Sequence, residues 1–530
     1  MKGFSSMLAQ STLLLCVLLP FVSLASGQDK PFNLLEATIE SIHAAYRSGE
    51  LTSRQLVQLY LNRIEAYDQK GPKLNAIITV NPQALEEADR LDAIYKRSGP
   101  VGSLHGIPII LKDQIDAKGM PTTMGSVLFK DYYPDRDAFA VEKLKEAGAI
   151  ILAKATLGEL GGAGTGDTYG SLYGATRNPY ALDRTTGGSS GGPAASIAAN
   201  FATVAVGQEG YHSIRSPSTW NALVGMRPTA GLVSRSGVFN GWPSLFGSMG
   251  PMVRTVQDLA ILLDILVGYD PDDPITALGV GKVPATYTNF LDENGLKGAR
   301  IGVLRESIGL GSEPGTEDFL RVGAVFDRAL GELKAAGAVL IDPIVIPKVK
   351  ELLAKRASNP RHSGESLRVY LGRSANPPYQ SRQEMLESPE FDKLSPPVQG
   401  RLSRPPGSDA QIRYYEYLEA RDELMLHLLK MMADHQLDAV VHNSVEHEPP
   451  FLAEVTQPPY VSQRGAPGIN TYLIYVPTIT VPAGFTGDHI PAGITFLGRP
   501  YSDGTLIKLA YAYEQATGHR KPPTSTPSLP

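Results

Sequence analysis

Apolar positions recur at helical spacing early in the chain. Ile39, Ile42, Ala45 and Tyr46 form one such set. Leu56, Leu59, Tyr60 and Ile64 form a second behind Thr52, whose hydroxyl suits a helix N-cap. Residues 33–96 are therefore read as helices. The period then shortens. GIPIILKDQID (106–116) is a β-branched run that stops in charge, and AIILAK (149–154) follows the helical stretch AFAVEKLKEAG. Further strand patterns are ATVAVG (202–207), ARIGVLR (299–305), AVLIDPIVI (338–346), DAVVH (438–442), PTITVPAGF (477–485) and AGITFLG (492–498). Helical patterns lie between many of them. The alternation predicts an α/β fold: a single α/β/α sandwich with a large mixed, mostly parallel sheet covered by helices.

Three segments break the pattern. Residues 1–25 carry Lys2, the short apolar run Leu13–Val22 and then small residues. That order predicts a secretory signal peptide, cleaved near Ala25 or Gly27, because the run is too short to span a bilayer. The expected location is secreted or periplasmic. Residues 355–410 are rich in Arg, Pro and Ser, and read as a surface excursion over the sheet edge, a candidate lid on the 26–520 domain. Residues 521–530 (KPPTSTPSLP) read as a disordered tail.

Composition narrows the chemistry. The 530 residues are 42% hydrophobic and 19% charged, proportions that suit a globular chain with a large core. A net charge of −5 without any Lys/Arg-rich run speaks against nucleic acid as a partner. Cys16 is the only cysteine and lies in the leader, so the mature chain offers no thiol nucleophile and no thiolate metal site.

The candidate chemistry centres on two serine sites. GGSSGG (187–192) resembles a phosphate cradle, but neither Gly-Lys-Ser/Thr nor G-x-G-x-x-G spacing accompanies it. It also matches G-x-S-x-G, yet the preceding NPYALDRTT is polar and broken by Pro179, unlike the strand a nucleophile elbow needs. Ser213 follows the ATVAVG strand and the turn QEGYH, where backbone amides can gather around an oxyanion. His212 is adjacent in sequence and poorly placed to be its base. Lys112, at the end of an apolar strand, is the other base, since burial favours the neutral amine. A pairing of Lys112 with Asp113 or Asp116 is the alternative.

The chain resembles the amidase signature family of serine hydrolases. The matching stretches are SLHGIPIILKD (103–113), GATRNPYALDRTTGGSSGG (174–192), SIRSPSTWNALVGMRPTAGLVSRSG (213–237), GPMVRT (250–255) and VPTITVPAGF…IPAGITFLGRPYSDGTLIKLA (476–510). The resemblance implies Ser213 as nucleophile, Ser189 as a relay serine after a cis peptide bond, and Lys112 as neutral base. It implies oxyanion or substrate contacts from Gly210, Tyr211 and His212, with Ser190, Glu209 and Arg215 supporting them. No cofactor and no metal are implied.

Many relatives carry two glycines where this chain has Tyr211-His212, and an acid common before GPM is replaced in LFGSM. Both departures bear on the substrate more than on the reaction. HNSVEHE (442–448) fits neither zinc-helix spacing and is read as lining the mouth of the cleft. Phe239, Trp242 and Phe246 are read as a candidate apolar wall. The expected activity is hydrolysis of a small-molecule carboxylic amide through an acyl-enzyme on Ser213. The alternatives are an esterase or carbamate hydrolase with the same residues, or a non-catalytic binding protein. No membrane contact is expected after leader removal, and a homodimer is left open.

Overall fold

Lys112 ends a strand that is buried along its whole length. The computed structural model describes Met1 and residues 32–529, apart from 163, 166, 240–246, 307–311, 361, 462–464, 466–468, 470–474 and 488. The expected leader therefore lies outside the described residues. Residues 33–530 form one compact unit.

Among the described residues, eleven strands build the main sheet. They are β1 (Ile77–Val80), β2 (Pro108–Lys112), β3 (Ile150–Ala155), β4 (Val204–Glu209), β5 (Val224–Arg227) and β6 (Ser248–Val253). They continue with β7 (Arg300–Leu304), β8 (Val339–Ile344), β9 (Ala439–Asn443), β10 (Thr478–Phe485) and β11 (Pro491–Leu497). Their spatial order is β1-β3-β2-β4-β6-β5-β10-β11-β9-β7-β8. Helices cover both faces, so the α/β/α sandwich is as the pattern predicts. Parallel pairing is confined to two groups, β3-β2-β4 and β9-β7-β8, and the middle of the sheet is antiparallel.

The eight strands read from sequence are all present. The other three, β1, β5 and β6, are not visible in the hydrophobic pattern. In β6 the reason is local. Gly250 sits so close to β5 that a Cβ there would stand 1.9 Å from the Met226 carbonyl oxygen, and Pro251 removes a ladder donor from a central strand. The residues the packing demands are those that weaken a strand signal.

The 355–410 excursion is a packed cap. It contains the helices His362–Leu371, Arg382–Leu386 and Pro396–Ser403. Leu367, Tyr370, Met385 and Val398 join one apolar cluster with Phe129, Tyr132 and Phe239 of the body. The tail corrects the reading from composition. Thr526 is buried, and the Arg63 guanidinium donates to the carbonyl oxygens of Thr526 at 2.8 Å and Pro527 at 2.7 Å. Proline-rich sequence here is a strap held by a buried charge. No described helix is long and apolar enough to cross a membrane.

Candidate active site

Three elements bring Lys112, Ser189 and Ser213 together. β2 and β4 run parallel, so their carboxyl ends lie at the same edge of the sheet, where sites in open α/β sheets form. Lys112 ends β2. Ser213 lies in the turn between β4 and the short helix Arg215–Trp220. Ser189 precedes the helix Gly191–Ala198, every residue of which is buried. That helix starts hard against β3: a Cβ on Gly192 would meet the Thr156 carbonyl oxygen at 2.3 Å. The glycines of GGSSGG thus serve close packing of a helix on the sheet. The Gly188–Ser189 peptide bond is cis.

The polar atoms form a chain. Lys112 Nζ donates to Ser189 Oγ at 2.7 Å and to the Gln208 carbonyl oxygen at 3.2 Å. Ser189 Oγ lies 3.1 Å from Ser213 Oγ. Lys112 and Ser189 are sealed from solvent, whereas Ser213 keeps 7% exposure and is where this path opens. Burial pushes the Lys112 pKa well below its ordinary value, and the Glu209 carboxylate opposes it only in part.

Glu209 is the anchor of the turn. Its Oε2 accepts from the backbone N–H groups of Ile214 at 2.9 Å and Arg215 at 3.0 Å. Its Oε1 accepts from Arg215 Nε at 2.8 Å and lies 3.6 Å from Arg227 Nη1. Burial alone would raise this carboxyl, but Arg215 and Arg227 hold it below the usual range. Ser190 ties the other side, donating its N–H to the Ser213 carbonyl oxygen at 3.1 Å.

A chain with this arrangement also has known relatives. The family described as Amidase matches residues 55–507. The chain belongs to the amidase family. An Arabidopsis thaliana protein named "Probable amidase" is 34% identical over 514 residues, 93% of this chain and 92% of that protein. One subunit of the glutamyl-tRNA(Gln) amidotransferase of Carboxydothermus hydrogenoformans is 33% identical, covering 90% of this chain and 96% of that protein. Among solved structures, native peptide amidase from Stenotrophomonas maltophilia superposes with a TM-score of 0.81 at 33% identity, over 93% of this chain and 99% of that one. The expected class, a hydrolase of amide carbon–nitrogen bonds, is borne out.

In this amidase, Tyr211 and His212 form the turn without left-handed strain, since neither falls among the residues with positive φ. Their ring centroids lie 4.5 Å apart, and the Arg215 Nη2 group donates to the Tyr211 carbonyl oxygen at 2.8 Å. The Arg356 guanidinium of the cap lies over the Tyr211 ring, 4.2 Å from its centroid. Gly210 sits half-buried between Glu209 and this pair.

The HNSVEHE residues sit close behind the turn and are engaged by neighbours. His442 is pushed down to about 4 by burial and by Arg215. His447 Nδ1 lies 2.9 Å from Asp318 Oδ2, and its carbonyl oxygen accepts from Trp220 Nε1. Glu448 receives Arg321. Of the aromatic wall, Phe239 packs on Phe129 and Tyr370, while Trp242 and Phe246 lie outside the described residues. Reading the sequence missed Lys154, Gln208, Arg227 and Arg356. Only Lys154 carried a signal, as a lysine inside an apolar strand.

Proposed function

We propose that the chain hydrolyses a carboxylic amide through an acyl-enzyme on Ser213. The observation that supports this reading is the continuous path from Lys112 Nζ through Ser189 Oγ to Ser213 Oγ, buried at one end and open at the other. A neutral Lys112 amine takes the Ser189 proton as Ser189 takes that of Ser213, so the hydroxyl oxygen of Ser213 attacks the amide carbon. The tetrahedral oxyanion is held by backbone N–H groups of the 210–213 turn, which Glu209 fixes in place. The proton returns along the same path to the leaving amine. Water then adds to the acyl-enzyme by the same relay and releases the acid.

The residues supply base, relay, nucleophile and oxyanion donors, so the scheme calls on no cofactor. The substrate is a small-molecule amide, and the peptide amidase likeness puts peptide amides first among amides to try. The leader pattern supports export. The amidotransferase relatives support a second reading, in which a partner chain is needed.

The test is labelling of the purified mature protein with a fluorophosphonate, followed by peptide mass spectrometry, and turnover of a panel of peptide, aryl and fatty amides and carbamates. Label on Ser213, slowed in Lys112→Ala, together with turnover by the chain alone, supports the reading. Label on Ser189 instead reverses the two serine roles. No label and no turnover favours the non-catalytic or partner-dependent alternatives.

A further inference from the structure

Away from Ser213, a cavity of about 200 Å³ lies where the cap meets the body. Its lining includes Arg136, Arg235 and Asp272 from the body, and Tyr370 and Arg373 from the cap. Three guanidiniums therefore face a space bordered by one carboxylate. Arg235 is engaged, giving its Nε and Nη2 to Asp273 at 2.9 and 2.7 Å. The other two share Asp272, at 3.4 Å from Arg136 and 3.8 Å from Arg373, and that carboxylate is 57% exposed.

Arg373 Nε is buried with no hydrogen-bond partner among the described residues. A buried guanidinium N–H without an acceptor costs more than one in water, and nothing in an ordinary solvated rim requires it to be buried. Burial and the nearby Arg136 both hold the Arg373 pKa down. The neighbouring acids are committed elsewhere. Asp116 accepts from the Tyr370 hydroxyl at 2.6 Å, and Asp270 from Ser234 at 2.5 Å.

We propose that this cavity binds a small oxyanion, a carboxylate or a phosphate, between Arg136 and Arg373. The forked guanidinium matches two oxygens of either group, and the volume admits only a small molecule. The site is separate from the proposed acyl-enzyme chemistry and does not depend on it. Because one arginine belongs to the cap and the other to the body, the anion joins them. The floor of the cavity is tied to the body: Gly237 accepts from the Asp116 N–H, and Val238 bridges to Ile115.

The experiment is calorimetric titration of the full mature chain with inorganic phosphate, and separately with succinate, at constant ionic strength against chloride. Saturable binding of either at one site is expected, and the tighter of the two identifies the oxyanion class. Arg373→Gln and Arg136→Gln should each weaken it about tenfold or more while leaving fluorophosphonate labelling of the chain unchanged. The labelling shows that each variant is folded, and having two variants keeps the test open if one is not. No saturable binding beyond chloride, or undiminished binding in both variants, overturns the proposal.

Discussion

Lys112 and Asp113 are adjacent in the chain and do not pair. Lys112 reaches Ser189, while Asp113 accepts from Thr123 and lies 3.5 Å from Lys154, a second fully buried lysine. The acid next to Lys112 in sequence is thereby occupied. Lys112 is left facing two neutral oxygens, with only the Glu209 charge acting in its favour.

That arrangement has a pH signature. Above its lowered folded pKa, Lys112 is neutral in the native chain, whereas the unfolded lysine stays protonated to about 10.4. The unfolded state then holds one more proton, so native stability gains about 1.4 kcal/mol per pH unit through this window. Lys112→Met removes the dependence. Its melting temperature should exceed that of the parent most near neutrality, with the gap closing towards pH 10. A constant gap from pH 7 to 9.5 would show the amine to be charged in the fold. Labelling of Ser213 in the same variant should slow by about 10²–10⁴-fold, the usual share of a general base.

Glu209 neutralises two arginines that are 1% and 2% exposed, Arg215 and Arg227. Glu209→Gln keeps the volume and leaves both guanidiniums buried without a counter-charge. Removing one partner of a buried ion pair costs about 3–5 kcal/mol. Urea unfolding should show a loss of that size, and Glu209→Asp a smaller one. A loss below about 1 kcal/mol would mean the turn does not depend on this carboxylate.

At the contact between Tyr211 and Arg356 the cap touches the turn that carries Ser213. A cation–π contact of this kind contributes about 0.5–2 kcal/mol. Tyr211→Ala should speed limited proteolysis within 355–410 several-fold and raise KM more than it lowers kcat, because the backbone amides of the turn remain. Unchanged cleavage would mean the apolar cluster around Phe129 and Tyr370 holds the cap alone.

How far the sequence was legible follows from which forces shape each part. Strands buried along their whole length, such as β2 and β3, announce themselves because burial on two faces demands apolar, β-branched runs. β5 and β6 do not, because they approach too closely for a side chain at Gly250. That Lys112, Ser189 and Ser213 come together was legible through the family resemblance, since each sits in a short local stretch that carries it. Arg227, Arg356 and the Lys154–Asp113 pair were not, because their partners lie far away in sequence and only the fold joins them. The strap at the C-terminus was misread for the same reason: its order comes from Arg63, over 450 residues earlier.

That strap gives a stability test independent of the active site. Arg63 is 2% exposed and satisfies its guanidinium on four carbonyl oxygens, those of Ala199, Asn200, Thr526 and Pro527. Ser525 adds a bond to the Pro179 carbonyl oxygen at 2.6 Å. Deleting residues 521–530 takes away two of the four acceptors. Hydrogen bonds to a charged group contribute about 1.5–3 kcal/mol each, but water can enter the vacated groove and replace part of that. The truncated chain should lose about 2–4 kcal/mol in urea unfolding. In the Arg63→Met background the same deletion should cost less than half as much, because the tail's principal donor is already gone. An equal loss in both backgrounds would show that the strap is held by its apolar contacts and not by the arginine.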